Sequence, residues 1–152
     1  MSKIYANEAV YIAEAVRNHL NTWKRKPADF ELDKITKDPP AMMIQPLSGT
    51  ERLRTYVNGS YIAAWKFAVY IRIPGTDTSE RLDASGCLTE LAAWLSELTP
   101  KGQYANLPVI DEDRTVSRIE LESTPSIAFR YEDGTEDYQA IFTLEYKYIR
   151  RF

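Results

Sequence analysis

The segment from Tyr61 to Ile73 constrains the fold more than any other part of the sequence. Every second position in it is apolar, which is the pattern of a β-strand with one buried face: Tyr61, Ala63, Trp65, Phe67, Val69, Ile71 and Ile73. Strands usually run about five or six residues, so this one is long. A long strand combined with amphipathic helices predicts an α+β protein, and nothing in the segment has the composition of a catalytic motif.

Chain length and charge narrow the class of protein. The 152 residues predict one domain spanning residues 1–152. The formal net charge of −3 argues against a protein that binds nucleic acid mainly by neutralising phosphates. No segment has the plan of a signal peptide or the about 20 apolar residues of a membrane span, so we expect folding in the cytoplasm and no membrane partner. The single cysteine, Cys87, leaves no internal disulfide and is interpreted as a small core residue.

Two amphipathic helices are predicted from apolar stripes at helical spacing. Residues 5–23 carry the first stripe, with Glu8 assigned to the polar side of the helix; the apolar residues are Ile12, Val16, Leu20 and Trp23. The second helix follows Asp77, the expected N-cap, and ends before Pro100. Its stripe consists of Leu88, Leu91, Leu95 and Leu98. Between the helices, the proline-bounded residues 27–40 are expected to form an extended linker or arm.

The remaining segments predict a mixed, mainly antiparallel sheet flanked by the two helices. Residues 42–45 and 52–57 are interpreted as strands, and Asn58-Gly59 as a hairpin turn into the long strand, so that the three strands form a meander. Residues 99–115 are expected to be a long loop. The last third contains strand patterns at residues 119–122 and 127–131, interrupted by Pro125, and then a turn at Asp133-Gly134 and a long strand over residues 138–148.

A search for catalytic and metal-binding patterns finds little. His19 is the single histidine, and it is interpreted as a packing or surface residue because no second His or Cys pair stands at ligand spacing. No glycine-rich nucleotide loop is present. The residues 111–113 lack calcium-loop spacing. A hydrolase that uses a pair of carboxylates remains an open alternative. The glutamates Glu120, Glu122 and Glu145 are, however, explained as polar residues on the solvated face of a strand. We therefore expect no enzyme activity, no cofactor and no metal.

Three groups of segments resemble a known family. They read Asp-Pro-Pro-Ala-Met-Met-Ile-Gln-Pro-Leu at residues 38–47, Tyr-Val-Asn-Gly-Ser-Tyr at residues 56–61, and Tyr-Glu-Asp-Gly at residues 131–134 followed by Glu-Asp-Tyr-Gln-Ala at residues 136–140. The sequence is similar to the minor capsid proteins of tailed phages and prophages of Gram-positive bacteria, a group that resembles tail terminators. The likeness extends over nearly the whole chain, and its motifs are turns and strand patterns.

The resemblance implies a fold and a role. Tail terminators have a mixed sheet flanked by helices, and they form a ring, usually a hexamer, on the end of the tail tube. The ring stops tube polymerisation and offers a docking surface to the head connector. The implied partners are further copies of the chain, the tail tube protein and the head-completion protein, with DNA passing through the channel without specific binding. The implied location is the virion, and the same part in a phage-tail-like bacteriocin is a related possibility.

Candidate interface residues follow from charge and from exposed aromatic rings. The acidic run Asp111-Glu112-Asp113 is expected to face the ring channel or the next subunit, and tyrosines outside the core are typical of protein–protein contacts. The candidates are Asp111, Glu112, Asp113, Arg114, Tyr104 and Tyr70. An alternative is a cone-shaped ligand-binding or enzyme module resembling nuclear-transport-factor folds, but the inward faces of the long strands carry almost no polar groups. A nucleic-acid binder is disfavoured by the charge.

Overall fold

Two helices and six strands occupy the residues that the computed structural model describes, which are 2–47, 50–75 and 78–151. In chain order they are α1 (Ser2–Leu20), β1 (Phe30–Leu32), β2 (Ala41–Pro46), β3 (Glu51–Thr55), β4 (Tyr61–Ile73), α2 (Thr78–Ser96), β5 (Arg114–Arg130) and β6 (Glu136–Tyr148). The predicted α+β class and the predicted long strand at β4 are confirmed. Asp77, the expected N-cap of α2, lies outside the described residues.

The strands form a single mixed sheet in the order β1-β2-β4-β6-β5, with β3 also paired to β4. β1 and β2 are parallel, and every other pairing is antiparallel. β4 and β6 pair along their whole length, from Tyr61 opposite Tyr148 to Ile73 opposite Glu136. This long central ladder supports the rest of the molecule, and the predicted mainly antiparallel sheet is confirmed.

The predicted meander of the first three strands is wrong. β2 pairs with residues 67–72 of β4, and β3 pairs with residues 61–64. Because β6 occupies the other side of β4, the two strands lie end to end along one side of it. The Asn58-Gly59 hairpin between β3 and β4 is confirmed, since the amide of Tyr56 donates to the carbonyl of Ser60 at 2.7 Å and Gly59 has a φ of +90°.

The predicted linker at residues 27–40 contains a packed strand, β1. Phe30 is buried, and β1 pairs in parallel with β2. The side chain of Asn21, just after α1, accepts a 2.7 Å bond from the amide of Phe30. The proline-bounded segment therefore contributes to the sheet and to the core.

Both helices pack on one face of the sheet. The core joins apolar residues of α1 and α2 to one face of the strands, including Ile12, Val16, Leu20, Leu88, Leu91, Leu95, Trp65, Phe67, Phe142 and Leu144. Leu98, expected to continue the α2 stripe, is exposed because the helix ends at Ser96. The opposite face of β4 and β6 carries residues such as Lys66, Tyr70, Arg72 and Gln139, and we call it the open face.

The last third contains fewer strands than the pattern predicts. β5 runs unbroken through Pro125, although its register with β6 shifts between Ser123 and Ser126. A proline is tolerated there because β5 is an edge strand. The predicted turn at Asp133-Gly134 is confirmed, because Gly134 has a φ of +93° and the amide of Tyr131 donates to the carbonyl of Thr135 at 2.8 Å.

Candidate functional site

The predicted acidic run forms a tight turn that leads into β5. The carboxylate of Asp111 accepts bonds from the backbone amides of Asp113 (2.9 Å) and Arg114 (2.7 Å), and it lies 2.8 Å from Nη1 of Arg114. The carboxylate of Asp113 accepts a 2.6 Å bond from Nε of Arg151. Glu112 is exposed between them. The carboxylates of Asp111 and Asp113 thus bind groups of their own subunit, and the interface role of the run stays a prediction.

Arg114 extends from this turn to a buried polar cluster beneath α1. Glu8, which is 4% exposed, accepts hydrogen bonds from the hydroxyls of Tyr61 (2.8 Å) and Tyr146. Nε of Arg114 lies 3.6 Å from Oε1 of Glu8, and its guanidinium carbon lies 4.9 Å from the ring centre of Tyr148. Burial, together with the bond to Glu8, raises the pKa of Tyr61 to about 12 and also raises the pKa of Tyr146. Both hydroxyls are therefore donors at neutral pH.

The assignment of Glu8 to the polar side of α1 is wrong. Glu8 stands four residues before Ile12, and the same spacing continues through Val16 and Leu20. A side chain at this spacing lies on the buried stripe. The spacing in the sequence therefore indicated a buried position for Glu8, but its charge led to the prediction of an exposed one.

Tyr104 lies half-buried in the long loop between α2 and β5, where it forms an antiparallel bridge with Leu98.

His19 packs against the same loop. The carbonyl of Asn106 accepts a 2.7 Å bond from Nε2 of His19, and Nδ2 of Asn106 donates to the carbonyl of Trp94 at 2.8 Å. The imidazole stacks on the Trp94 ring at 5.1 Å, and burial lowers the pKa of His19. The prediction that His19 is a packing residue is confirmed.

Tyr70 lies on the open face, in a cleft of about 490 Å³. Beside it, Arg72 binds Asp137 through two bonds of 2.8 and 3.0 Å, and the hydroxyl of Tyr131 donates to the same carboxylate at 2.6 Å. The bond to Asp137 raises the pKa of Tyr131, and burial followed by the charge of Asp137 raises the pKa of Tyr70. Sequence reasoning missed this network because Arg72 and Asp137 become neighbours only through the β4–β6 register.

The structure does not bring all six predicted residues together. In register, Arg114 lies opposite Tyr148 and Tyr70 lies opposite Gln139. These two β6 positions are nine residues apart, which is about 30 Å along a strand. The candidate residues therefore form separate surfaces rather than one site.

No three side chains of His, Cys, Asp or Glu within the described ranges are grouped to hold a metal ion. Burial, with the charge of Glu90, raises the pKa of Cys87 to about 11, so the thiol is a weak nucleophile at neutral pH. Glu120 and Glu145 each pair with Arg118 on the solvated side of the sheet at 3.0 Å. None of the helices in the described parts of the chain is both long and apolar enough to span a membrane.

Comparison with known proteins gives a likeness of fold. The sequence matches no protein-family profile and no curated protein. Among solved structures, it is similar to a chain described as "Virion of native gene transfer agent (GTA) particle". The TM-score is 0.50, the sequence identity is 8%, and the match covers 93% of each chain. At this identity the similarity concerns the fold alone.

Proposed function

We propose that this chain is a structural protein of a phage-like particle and that it acts as a tail terminator at the head–tail junction. The observation that carries the proposal is the correspondence with a virion chain over 93% of both chains. The sequence resemblance supports the same role independently, because it depends on local motifs at residues 38–47, 56–61 and 131–140 rather than on the overall fold.

In this role the chain assembles into a ring, usually a hexamer, on the end of the tail tube. A closed ring needs a heterologous interface, in which one surface meets a different surface of the neighbour. The molecule has such unlike surfaces, since helices cover one face of the sheet and the open face carries mixed polar and apolar groups. The net charge of −3 would allow DNA to pass through a channel without binding to its wall.

The proposed action is mechanical rather than chemical. The ring caps the tube, stops addition of further tube subunits and offers its other side to the head-completion protein. The proposed location is the virion, after assembly in the bacterial cytoplasm. The polar network of Arg72, Asp137 and Tyr131 supports this view, because its donors and acceptors are bound to one another within the subunit.

Deletion of the gene from a particle-producing genome tests the role. We expect tails of uncontrolled and excessive length by electron microscopy, because tube growth lacks its stop, and few tails joined to heads. A plasmid copy of the gene should restore normal length. Tails of normal length joined to heads in the deletion strain would refute the proposed function.

A further inference from the structure

Two apolar surfaces lie at opposite ends of the long strand β4. The first, the hairpin patch, consists of Tyr56, Val57 and Ile149, all exposed beside the β3–β4 turn. These residues line a groove of about 550 Å³ together with Lys147. Val57 is fully exposed and contributes nothing to its own core. Exposed apolar surface of this kind commonly marks a site of interaction.

The second surface, the proline cleft, lies where β4 ends against α2. It has a volume of about 290 Å³, and its wall is mainly apolar. The lining residues are Pro27, Pro40, Ile71, Ile73, Pro74, Asp83, Ala84 and Cys87. Proline rings and a buried strand end make this wall stiff, because few of its side chains have rotamer freedom to lose on binding.

The two surfaces cannot meet within one subunit. The hairpin patch adjoins Tyr61 at the start of β4, and the proline cleft contains Ile71 and Ile73 at its end. The strand separates them by about 40 Å. A contact between two different patches of identical chains is heterologous, and repetition of such a contact closes into a ring when the rotation allows it.

Positive side chains flank the hairpin patch, and one carboxylate lines the proline cleft. Arg54 and Lys147 are exposed beside the hairpin patch, and Nζ of Lys147 lies 5.5 Å from the Tyr56 ring centre. Asp83 lines the proline cleft, while Glu90, one helical turn beyond Cys87, is already paired with Arg25 at 3.7 Å. Opposite charges orient two subunits as they associate. They favour contact between a hairpin patch and a proline cleft over contact between two hairpin patches or two proline clefts.

The hairpin patch is held in shape before any partner arrives. The carboxamide of Asn58 accepts a 3.0 Å bond from the amide of Ser60, and the hydroxyl of Ser60 accepts a 2.9 Å bond from the amide of Arg150. Gly59 packs so closely that a Cβ there would lie 2.7 Å from Cδ of Arg150. A preformed surface loses less conformational freedom on association.

We propose that the hairpin patch of one copy docks in the proline cleft of the next copy, and that this contact joins the subunits of the ring. The inference rests on the proposed function for its setting and deepens it by naming the surfaces. The occupant of the cleft is thus a second copy of this chain.

The single native cysteine provides a direct test, because Cys87 lines the cleft. In Val57→Cys, oxidation with copper phenanthroline in particle-producing cells should link neighbours and give a ladder of covalent multimers on a non-reducing gel. The double variant Val57→Cys with Cys87→Ser should give no ladder. Val109→Cys, at an exposed valine of the long loop, is the matched control and should not link to Cys87.

A second variant measures assembly without cross-linking. Val57→Asp should lower the yield of rings at least about tenfold, since a charge would enter an apolar contact. Its monomer should keep the wild-type circular dichroism spectrum because Val57 is fully exposed. Val109→Asp should assemble like the wild type.

The outcomes separate this contact from the terminator role. If gene deletion gives overlong tails but Val57→Cys forms no link to Cys87 and Val57→Asp assembles normally, the contact is wrong and the role stands. If deletion leaves tails unchanged but the ladder forms, the role is wrong and the contact stands. Cross-linking of Val57→Cys to a different protein instead of Cys87 also overturns the contact.

Discussion

Glu8 is one of three buried carboxylates among the described residues, together with Glu136 and Asp137. Removing a charged group from water is costly unless hydrogen bonds and an opposite charge replace the lost solvent. Here two tyrosine hydroxyls donate to the carboxylate, and Arg114 lies 3.6 Å away. These partners come from β4, β6 and the start of β5, so a single side chain of α1 connects the helix to three strands.

Neutralising this carboxylate should destabilise the protein. In Glu8→Gln the tyrosine hydroxyls lose a charged acceptor and Arg114 loses one of its two nearby carboxylates. We expect the free energy of unfolding to fall by about 1.5–3 kcal/mol, the range for hydrogen bonds to charged groups. Urea unfolding followed by circular dichroism measures it. Glu14→Gln, on the exposed side of the same helix, should change stability by less than about 0.5 kcal/mol; equal effects at the two positions would contradict this account.

His19 should make stability depend on pH in a defined direction. Burial lowers its pKa below the ordinary value of 6.5, so the unfolded state binds the proton more readily. The contribution is fully present above pH 6.5 and is lost as the pH falls through the lower folded-state pKa. The difference in unfolding free energy between wild type and His19→Gln, measured from pH 7.5 to pH 5, should therefore shrink toward acid. A difference that grows toward acid would show the opposite linkage.

At the scale of elements, the strands that could be predicted from the sequence are those whose hydrophobic alternation lies within one continuous segment. β4 and β6 were predictable because alternation over a long strand lies within one stretch of sequence. β1 was missed because three residues carry no period, and it is held by its parallel neighbour β2. Pro125 predicted a break, yet β5 continues because an edge strand does not need every amide for pairing. Both elements depend on pairing with a neighbouring strand, and the local sequence pattern does not report that pairing.

The close approach of two turns gives a prediction at the same scale. Gly75, two residues after the end of β4, has a φ of +72°, and a Cβ there would lie 2.2 Å from the carbonyl oxygen of Gly134 in the β5–β6 turn. Gly75→Ala therefore adds a backbone clash to the left-handed strain of about 1–2 kcal/mol. Gly102 has a φ of +79° but open space around it, so Gly102→Ala should show the strain alone. Thermal unfolding should give Gly75→Ala a clearly lower melting temperature than Gly102→Ala. Equal melting temperatures of the two variants would contradict the predicted clash.

At the scale of the molecule, the candidate site was only partly predictable. The sequence identified an acidic run within a long loop, but not that Asp111 and Asp113 bind groups of their own subunit. The hairpin patch and the proline cleft each combine residues far apart in the chain, such as Val57 with Ile149 and Pro27 with Cys87. Such surfaces have no sequence period, because the fold alone brings their residues together.

The acidic turn allows structural and assembly roles to be separated by paired variants. Asp111→Asn removes the charge that pairs with Arg114, so it should lower the unfolding free energy by about 1–3 kcal/mol. Glu112→Gln changes an exposed side chain and should leave stability within about 0.5 kcal/mol of wild type. If Glu112 faces the channel or the next subunit, Glu112→Gln should nevertheless change the length distribution of tails seen by electron microscopy. Normal tails from this stable variant would mean that the acidic run acts within its own subunit, as a connection between the start of β5 and the end of β6.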